Sequence, residues 1–180
     1  METYISLLRG INVSGQKMIK MTELVDLYKG LAFSDIMTYV QSGNIVFKSD
    51  KTISINDLSA QIANAIFRKY KFQVPVIIRT KKQILKAISM NPFLKDQNTD
   101  ISKLHVTFLS EAPEKSNVEL IINSDFSPDK FIISGTEVFL YCPSGYARTK
   151  LSNSFFENKL KVIATTRNWN TINKLADICK

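Results

Sequence analysis

The sequence predicts an α+β protein made by tandem duplication of a ferredoxin-like (split βαβ) unit, with two mixed or antiparallel sheets and helices packed on one face. Two observations predict it. The segment Thr38-Tyr-Val-Gln-Ser-Gly-Asn-Ile-Val-Phe47 is echoed by Lys130-Phe-Ile-Ile-Ser-Gly-Thr-Glu-Val-Phe139, with Ser-Gly and Val-Phe in register at an offset of 92 positions from Ser42 to Ser134. Hydrophobic patterning then repeats the order β-α-β-β-α-β, the ferredoxin-like order, in both halves. Two copies of one scaffold separate what the fold requires from what one copy has added.

Tyr4 to Arg9 is a short apolar run ending at Gly10, a buried strand. Thr22 to Leu31 places Leu24, Leu27, Tyr28 and Leu31 at helical spacing, with Thr22 as the expected N-cap. Ile36 to Gln41 and Ile45 to Lys48 form a hairpin across Ser42-Gly43-Asn44. Leu58, Ile62, Ala63, Ile66 and Phe67 make a helical stripe, and Val74 to Arg79 a β-branched strand; Lys81 to Met90 is a following helix. In the second half, the corresponding elements are His105 to Leu109, Asn117 to Asn123, Phe131 to Tyr141, Leu151 to Leu160, Val162 to Thr166 and a terminal helix from Asn168 to Ile178. The expected halves are residues 1–90 and 103–180, joined by a Pro-containing connection at 91–102.

Composition is that of an ordinary globular chain: 180 residues, 44% hydrophobic and 22% charged. No run is long and apolar enough for a membrane span. The first residues lack the pattern of a secretory signal, so the cytoplasm is the expected location. Cys142 and Cys179 have no partner spacing for a disulfide framework or a zinc site. His105 is the only histidine, no Ser stands in Gly-x-Ser-x-Gly, and the carboxylates are scattered. No metal or other cofactor is expected, and no residue set identifies a reaction.

Charge is more informative. Residues 1–90 hold 13 Lys/Arg against 6 Asp/Glu, whereas residues 91–180 hold 11 against 10. Between Leu58 and Lys95 there is no acid, but there are Arg68, Lys69, Lys71, Arg79, Lys81, Lys82 and Lys86. Such a run can attract polyanions by counterion release, or can simply be a solvated helix face.

The first copy spends Gly10 to Met21 on a connection for which the second uses about six residues. Length that the fold does not need is a place for binding groups, and here it brings Arg9, Asn12, Ser14, Gly15, Gln16, Lys17 and Lys20. The spacing misses a nucleotide P-loop, because Gln16 precedes Lys17 and Met18 stands in place of Ser/Thr. An anion cradle and a structural loop both remain open. Tyr146-Ala-Arg-Thr-Lys-Leu-Ser-Asn153 and Ala164-Thr-Thr-Arg-Asn-Trp-Asn-Thr171 each place basic and polar groups before a helical stripe, where helix-start N–H groups can hold an anion or be capped by these same side chains.

Together Tyr4-Ile-Ser-Leu-Leu-Arg-Gly-Ile-Asn-Val-Ser-Gly15, Thr38 to Phe47, Asn91-Pro-Phe93, Gly145-Tyr146 with Thr149-Lys-Leu151, and Thr165-Thr-Arg-Asn-Trp-Asn-Thr171 resemble the bacterial domain-of-unknown-function family 1697. Ser14 stands where that family usually has glycine. The resemblance implies an α+β fold and no established activity. Its signature falls on Arg9, Gly10, Asn12, Gly15, Gln41, Ser42, Gly43, Asn44, Tyr146, Lys150, Arg167, Asn168 and Trp169.

The candidate ligand-binding set is Arg9, Asn12, Lys17, Gln41, Asn44, Tyr146, Lys150, Arg167 and Asn168. The first functional reading is a binding module for nucleic acid or a phosphorylated or anionic ligand, acting through a basic cleft. The alternatives are a metal-free enzyme acting on a phosphorylated or carboxylated small molecule, and a structural or oligomerisation domain. The sequence leaves the oligomeric state open.

Overall fold

The computed structural model describes residues 1–50 and 52–179. Lys180, the end of the expected second half, lies outside the described residues. Among the described residues, eight strands form two separate four-stranded sheets, in the orders β2-β3-β1-β4 and β6-β7-β5-β8, with every pairing antiparallel. The first sheet uses β1 (Glu2–Leu8), β2 (Ser34–Tyr39), β3 (Asn44–Ser49) and β4 (Val76–Thr80), with helices α1 (Met21–Gly30), α2 (Ile55–Tyr70) and α3 (Lys81–Ser89). The second uses β5 (Leu104–Leu109), β6 (Lys130–Ser134), β7 (Glu137–Tyr141) and β8 (Ala164–Asn168), with α4 (Lys115–Ile122), α5 (Asn153–Leu160) and α6 (Trp169–Ile178). The chain divides into one compact unit of Met1–Lys86 with Lys174–Lys180, and a second of Ala87–Asn173.

Each core follows from the period-two alternation of its strands. Tyr4, Leu8, Ile45, Phe47, Val76 and Ile78 face Leu24 and Tyr28 of α1 and Leu58, Ile62 and Ile66 of α2. Leu109, Val138, Leu140 and Ala164 face Ile121 of α4 and Phe156 and Leu160 of α5. Residues of opposite parity, including Ile5, Leu7, Val46, Val106, Phe108 and Phe139, are buried as well. Both helices that follow a hairpin start at a serine cap: Ser54 accepts from Asp57 N and Ser152 from Phe155 N.

The expected helix starts shift in two places. α1 begins after Lys20, not at Thr22, and Lys20 makes no side-chain cap. Thr149 does not cap α5; its hydroxyl donates to Asp129 Oδ2 at 2.6 Å and accepts from Leu151 N.

The register of the repeat also needs correction. Leu8 N donates to Gly43 O at 2.9 Å, and Leu109 N donates to Thr136 O at 2.8 Å. Leu7 pairs with Asn44, and Phe108 with Glu137. Thr136, not Gly135, is therefore the counterpart of Gly43. The turns do not superpose, because Tyr39 pairs with Asn44 across four residues whereas Ser134 pairs with Glu137 across two. The Val-Phe echo is consequently one residue out of structural register, and a one-residue slip exchanges faces. Phe47 joins the helix-side core opposite Tyr4, and the position opposite His105 belongs to Leu140 rather than Phe139.

Candidate functional site

The long connection after β1 folds as a miniature hairpin. Val13 and Gln16 form an antiparallel bridge, with Gln16 N donating to Val13 O at 2.9 Å, and Ser14 and Gly15 have φ of 50° and 75°. Two positive φ values in a two-residue turn define type I′. Asn12 anchors its base: Nδ2 donates to Gln41 O at 2.8 Å and Ile19 O at 3.0 Å, and Oδ1 accepts from Ile19 N at 2.8 Å. Lys17 Nζ donates to Gln73 O at 2.7 Å, and Arg9 N to Pro75 O at 2.9 Å. Asn44 Nδ2 donates to Tyr39 O and Ser42 Oγ, which closes the β2–β3 turn. Thus Arg9, Asn12, Lys17, Gln41 and Asn44 gather at one end of the first sheet, where their bonds join the loop, the hairpin turn and the segment entering β4.

The end of α2 lies at this same end of the sheet, since Lys71 to Val74 lead directly into β4. It reads Phe67-Arg-Lys-Tyr-Lys-Phe72, alternating basic with aromatic residues. Phe67 is 46% exposed, Tyr70 and Phe72 stack at 5.8 Å between centroids, and Lys69 Nζ lies 5.3 Å from the Tyr70 ring. Tyr70 donates to Glu23 at 3.0 Å; its phenol is pushed up to about 12, by burial first and then by the Glu23 contact. The basic run from Arg68 to Lys86 does not form one face. Lys81 and Lys82 follow β4 at its far end, about 13 Å of strand from Val76, and Arg79, between Lys71 and Lys81 in the run, is buried.

In the second unit, Asn168 caps α6, its Oδ1 accepting from Thr171 N at 2.8 Å. Arg167 is also buried; its Nη1 donates to Thr165 Oγ1 at 2.8 Å and Thr166 O at 2.9 Å. It has a counterpart that the sequence reading missed. Arg79 occupies the same place in β4, opposite Ile5 as Arg167 is opposite Val106, and likewise donates Nη1 to the preceding carbonyl, Ile78 O at 3.0 Å. The signal was present in Val76-Ile-Ile-Arg-Thr80 against Ala164-Thr-Thr-Arg-Asn168, each with arginine fourth.

Tyr146 belongs to a hydroxyl cluster that also escaped sequence reading, because its members are distant in the chain. Thr166 Oγ1 lies 2.7 Å from Asn153 Oδ1, 2.7 Å from Thr107 Oγ1 and 3.0 Å from Tyr146 OH. Asn153 Oδ1 can only accept, so Thr166 spends its proton there and accepts from Thr107 and Tyr146. The Tyr146 ring stacks on His105 at 4.9 Å. His105 donates Nδ1–H to Lys103 O at 3.2 Å, and burial lowers its pKa, only partly offset by that bond. Lys150 is exposed and, with Arg148, Ser127, Ser144 and Asp129, lines a cavity of about 370 Å³. Burial pushes the neighbouring Cys142 thiol up to about 11. Among the described residues no three His, Cys, Asp or Glu side chains come together as metal ligands would, and no helix is long and apolar enough to cross a membrane.

Two antiparallel ferredoxin-like units, the first with a pinned hairpin and a basic-aromatic helix end, define a doubled α+β protein. The chain belongs to the DUF1697 family, described as protein of unknown function, which matches residues 1–139. Its fold is similar to that of the conserved bacterial protein SP0830 from Streptococcus pneumoniae, at 21% identity over 99% of each chain and a TM-score of 0.76. No curated protein matches the chain.

Proposed function

We propose that the first unit is a binding module for nucleic acid or another phosphorylated ligand. The observation that carries this reading is the partition of charge. The unit of residues 1–86 and 174–180 holds 15 Lys/Arg against 7 Asp/Glu, whereas residues 87–173 hold 9 against 9, so the whole net charge of +8 falls on the first unit. A field of one sign concentrated on one body attracts a polyanion over about a Debye length, roughly 8–10 Å at ordinary salt. Within that unit the support is strongest at the end carrying Lys17, Arg68, Lys69 and Lys71. There, Phe67 offers an exposed ring on which a base can stack, and rings interleaved with cations are what a single strand uses.

The test is titration of a fluorescent single-stranded oligonucleotide at increasing salt. Log affinity should fall linearly with log salt, by a slope of about 0.7 per phosphate neutralised. Reversing Arg68, Lys69 and Lys71 to Glu should abolish binding with the fold intact, and reversing Lys82 and Lys86 should weaken it much less. Absent or salt-insensitive binding returns the basic run to a solvated surface.

A metal-free enzyme or receptor for a small phosphorylated or carboxylated molecule is the second reading, favoured by the cavity that sets Arg148 and Lys150 beside Ser127 and Ser144, with Asp125 and Asp129 also on its wall. Inorganic phosphate should then raise the melting temperature of the wild type, but not of Lys150→Ala.

A further inference from the structure

We propose that the first unit carries a second site, for a small amphiphile with an anionic head, at the end of its sheet opposite the pinned hairpin. This site is independent of the polyanion reading. It is a cavity of about 450 Å³ whose lining includes Asp35, Met37, Val46, Lys48, Lys81 and Ile178, and its size falls in the range of small-ligand pockets. Every lining residue lies in the first unit. A second cavity of about 330 Å³, which adds Glu2, Lys82 and Leu85, shares Thr3 and Lys81 with the first, so the two meet at Lys81.

Three features select the occupant. The first is apolar wall: Val46 is buried, while Met37 on the edge strand β2 keeps 45% of its surface exposed. The second is a cation already spent. β2 slips register between Ser34 and Met37, and at this bulge Asp35 adopts φ 49° and its carboxylate meets Lys48 Nζ at 2.6 Å. The third is a cation not spent. Lys81 forms no ion pair among the described residues and stands where the two cavities join. The start of α3 does not compete for an anion, because Thr80 and Gln83 close it as a capping box: Gln83 N donates to Thr80 Oγ1 at 3.2 Å, and Thr80 N to Gln83 Oε1 at 2.8 Å. An alkyl chain against Met37 and Val46, with its anionic head on Lys81, uses all three; a cationic head would face Lys81, and a neutral one would leave it unpaired.

The experiment is an NMR titration of the full-length protein, labelled at the methionine methyls, with sodium octanoate below its micelle concentration. The Met37 methyl should shift saturably, while those of Met18 and Met90, exposed and outside the cavity, stay in place. Octylammonium should not reproduce the shift. Lys81→Gln should weaken octanoate binding at least tenfold, and Asp35→Asn, which releases Lys48, should tighten it. General loss of stability cannot produce opposite effects from the two variants. No saturable shift at Met37, equal movement of all three methyls, an octylammonium shift matching octanoate's, or wild-type affinity in Lys81→Gln would each overturn the proposal.

Discussion

The carbonyl of Gly43 accepts the amide of Leu8 at 2.9 Å, and this contact holds the turn so close to β1 that a Cβ on Gly43 would stand 2.6 Å from Leu8 Cβ. Gly135, its apparent equivalent in the repeat, also has positive φ, but a Cβ there would meet nothing within 4 Å. Gly43→Ala should therefore combine left-handed strain with overpacking and cost about 3 kcal/mol. Gly135→Ala should cost only the strain, about 1 kcal/mol. Urea unfolding of the two variants checks the difference, and equal losses would mean that the turns are equivalent after all.

Ser14 holds a left-handed conformation in the type I′ turn at φ 50°. Glycine takes that conformation without steric cost, although it loses more chain entropy on folding. Ser14→Gly should be stabilising by about 0.5 kcal/mol, and Gly15→Ala, at φ 75°, destabilising by about 1 kcal/mol. Melting temperatures that move in the same direction would contradict the assigned turn.

Arg79 and Arg167 hold matching strand positions, and the buried guanidinium of each donates to the carbonyl before it. A feature present in both copies is a requirement of the fold, so Arg79→Ala and Arg167→Ala should each lower unliganded stability by about 2–4 kcal/mol, through lost packing and unpaired buried acceptors. If Arg167→Ala melts with the wild type and only loses protection by added phosphate, Arg167 belongs to a ligand site instead.

Burial lowers the pKa of His105, so the unfolded chain binds this proton more readily than the folded one. Stability from this source is complete above the unfolded value of about 6.5 and is lost as pH falls toward the lower folded value. Unfolding free energy should therefore decline as pH falls below about 7, and His105→Gln should flatten that decline. A variant with an unchanged slope would place the titration elsewhere. NMR of the single imidazole gives the folded pKa directly.

The sequence by itself determined the architecture. Period-two and helical hydrophobic patterns are local, and they placed eight strands and six helices in the observed order, with boundaries mostly within two or three residues. It also exposed the long β1–α1 connection and the imbalance of charge. Asn12, Lys17, Asn44 and Asn168 were legible as special polar residues. Their bonds to Gln41 O, Gln73 O, Tyr39 O and Thr171 N needed coordinates, because side-chain chemistry suits a ligand and a backbone group equally well. Only the tertiary structure decided the register of the second hairpin, since pairing Phe108 with Glu137 sets β7 one residue out of step with the sequence echo and moves Phe139 to the opposite face while leaving the Val-Phe spelling intact. Only it buried Arg79 out of an apparently continuous basic run, separated Lys71 from Lys81 along β4, and left Lys81 beside a cavity lined by residues from Thr3 to Cys179. Those outcomes depend on strand pairing between distant segments, whose register is set by turn length and by which face must be apolar, quantities that no local pattern contains.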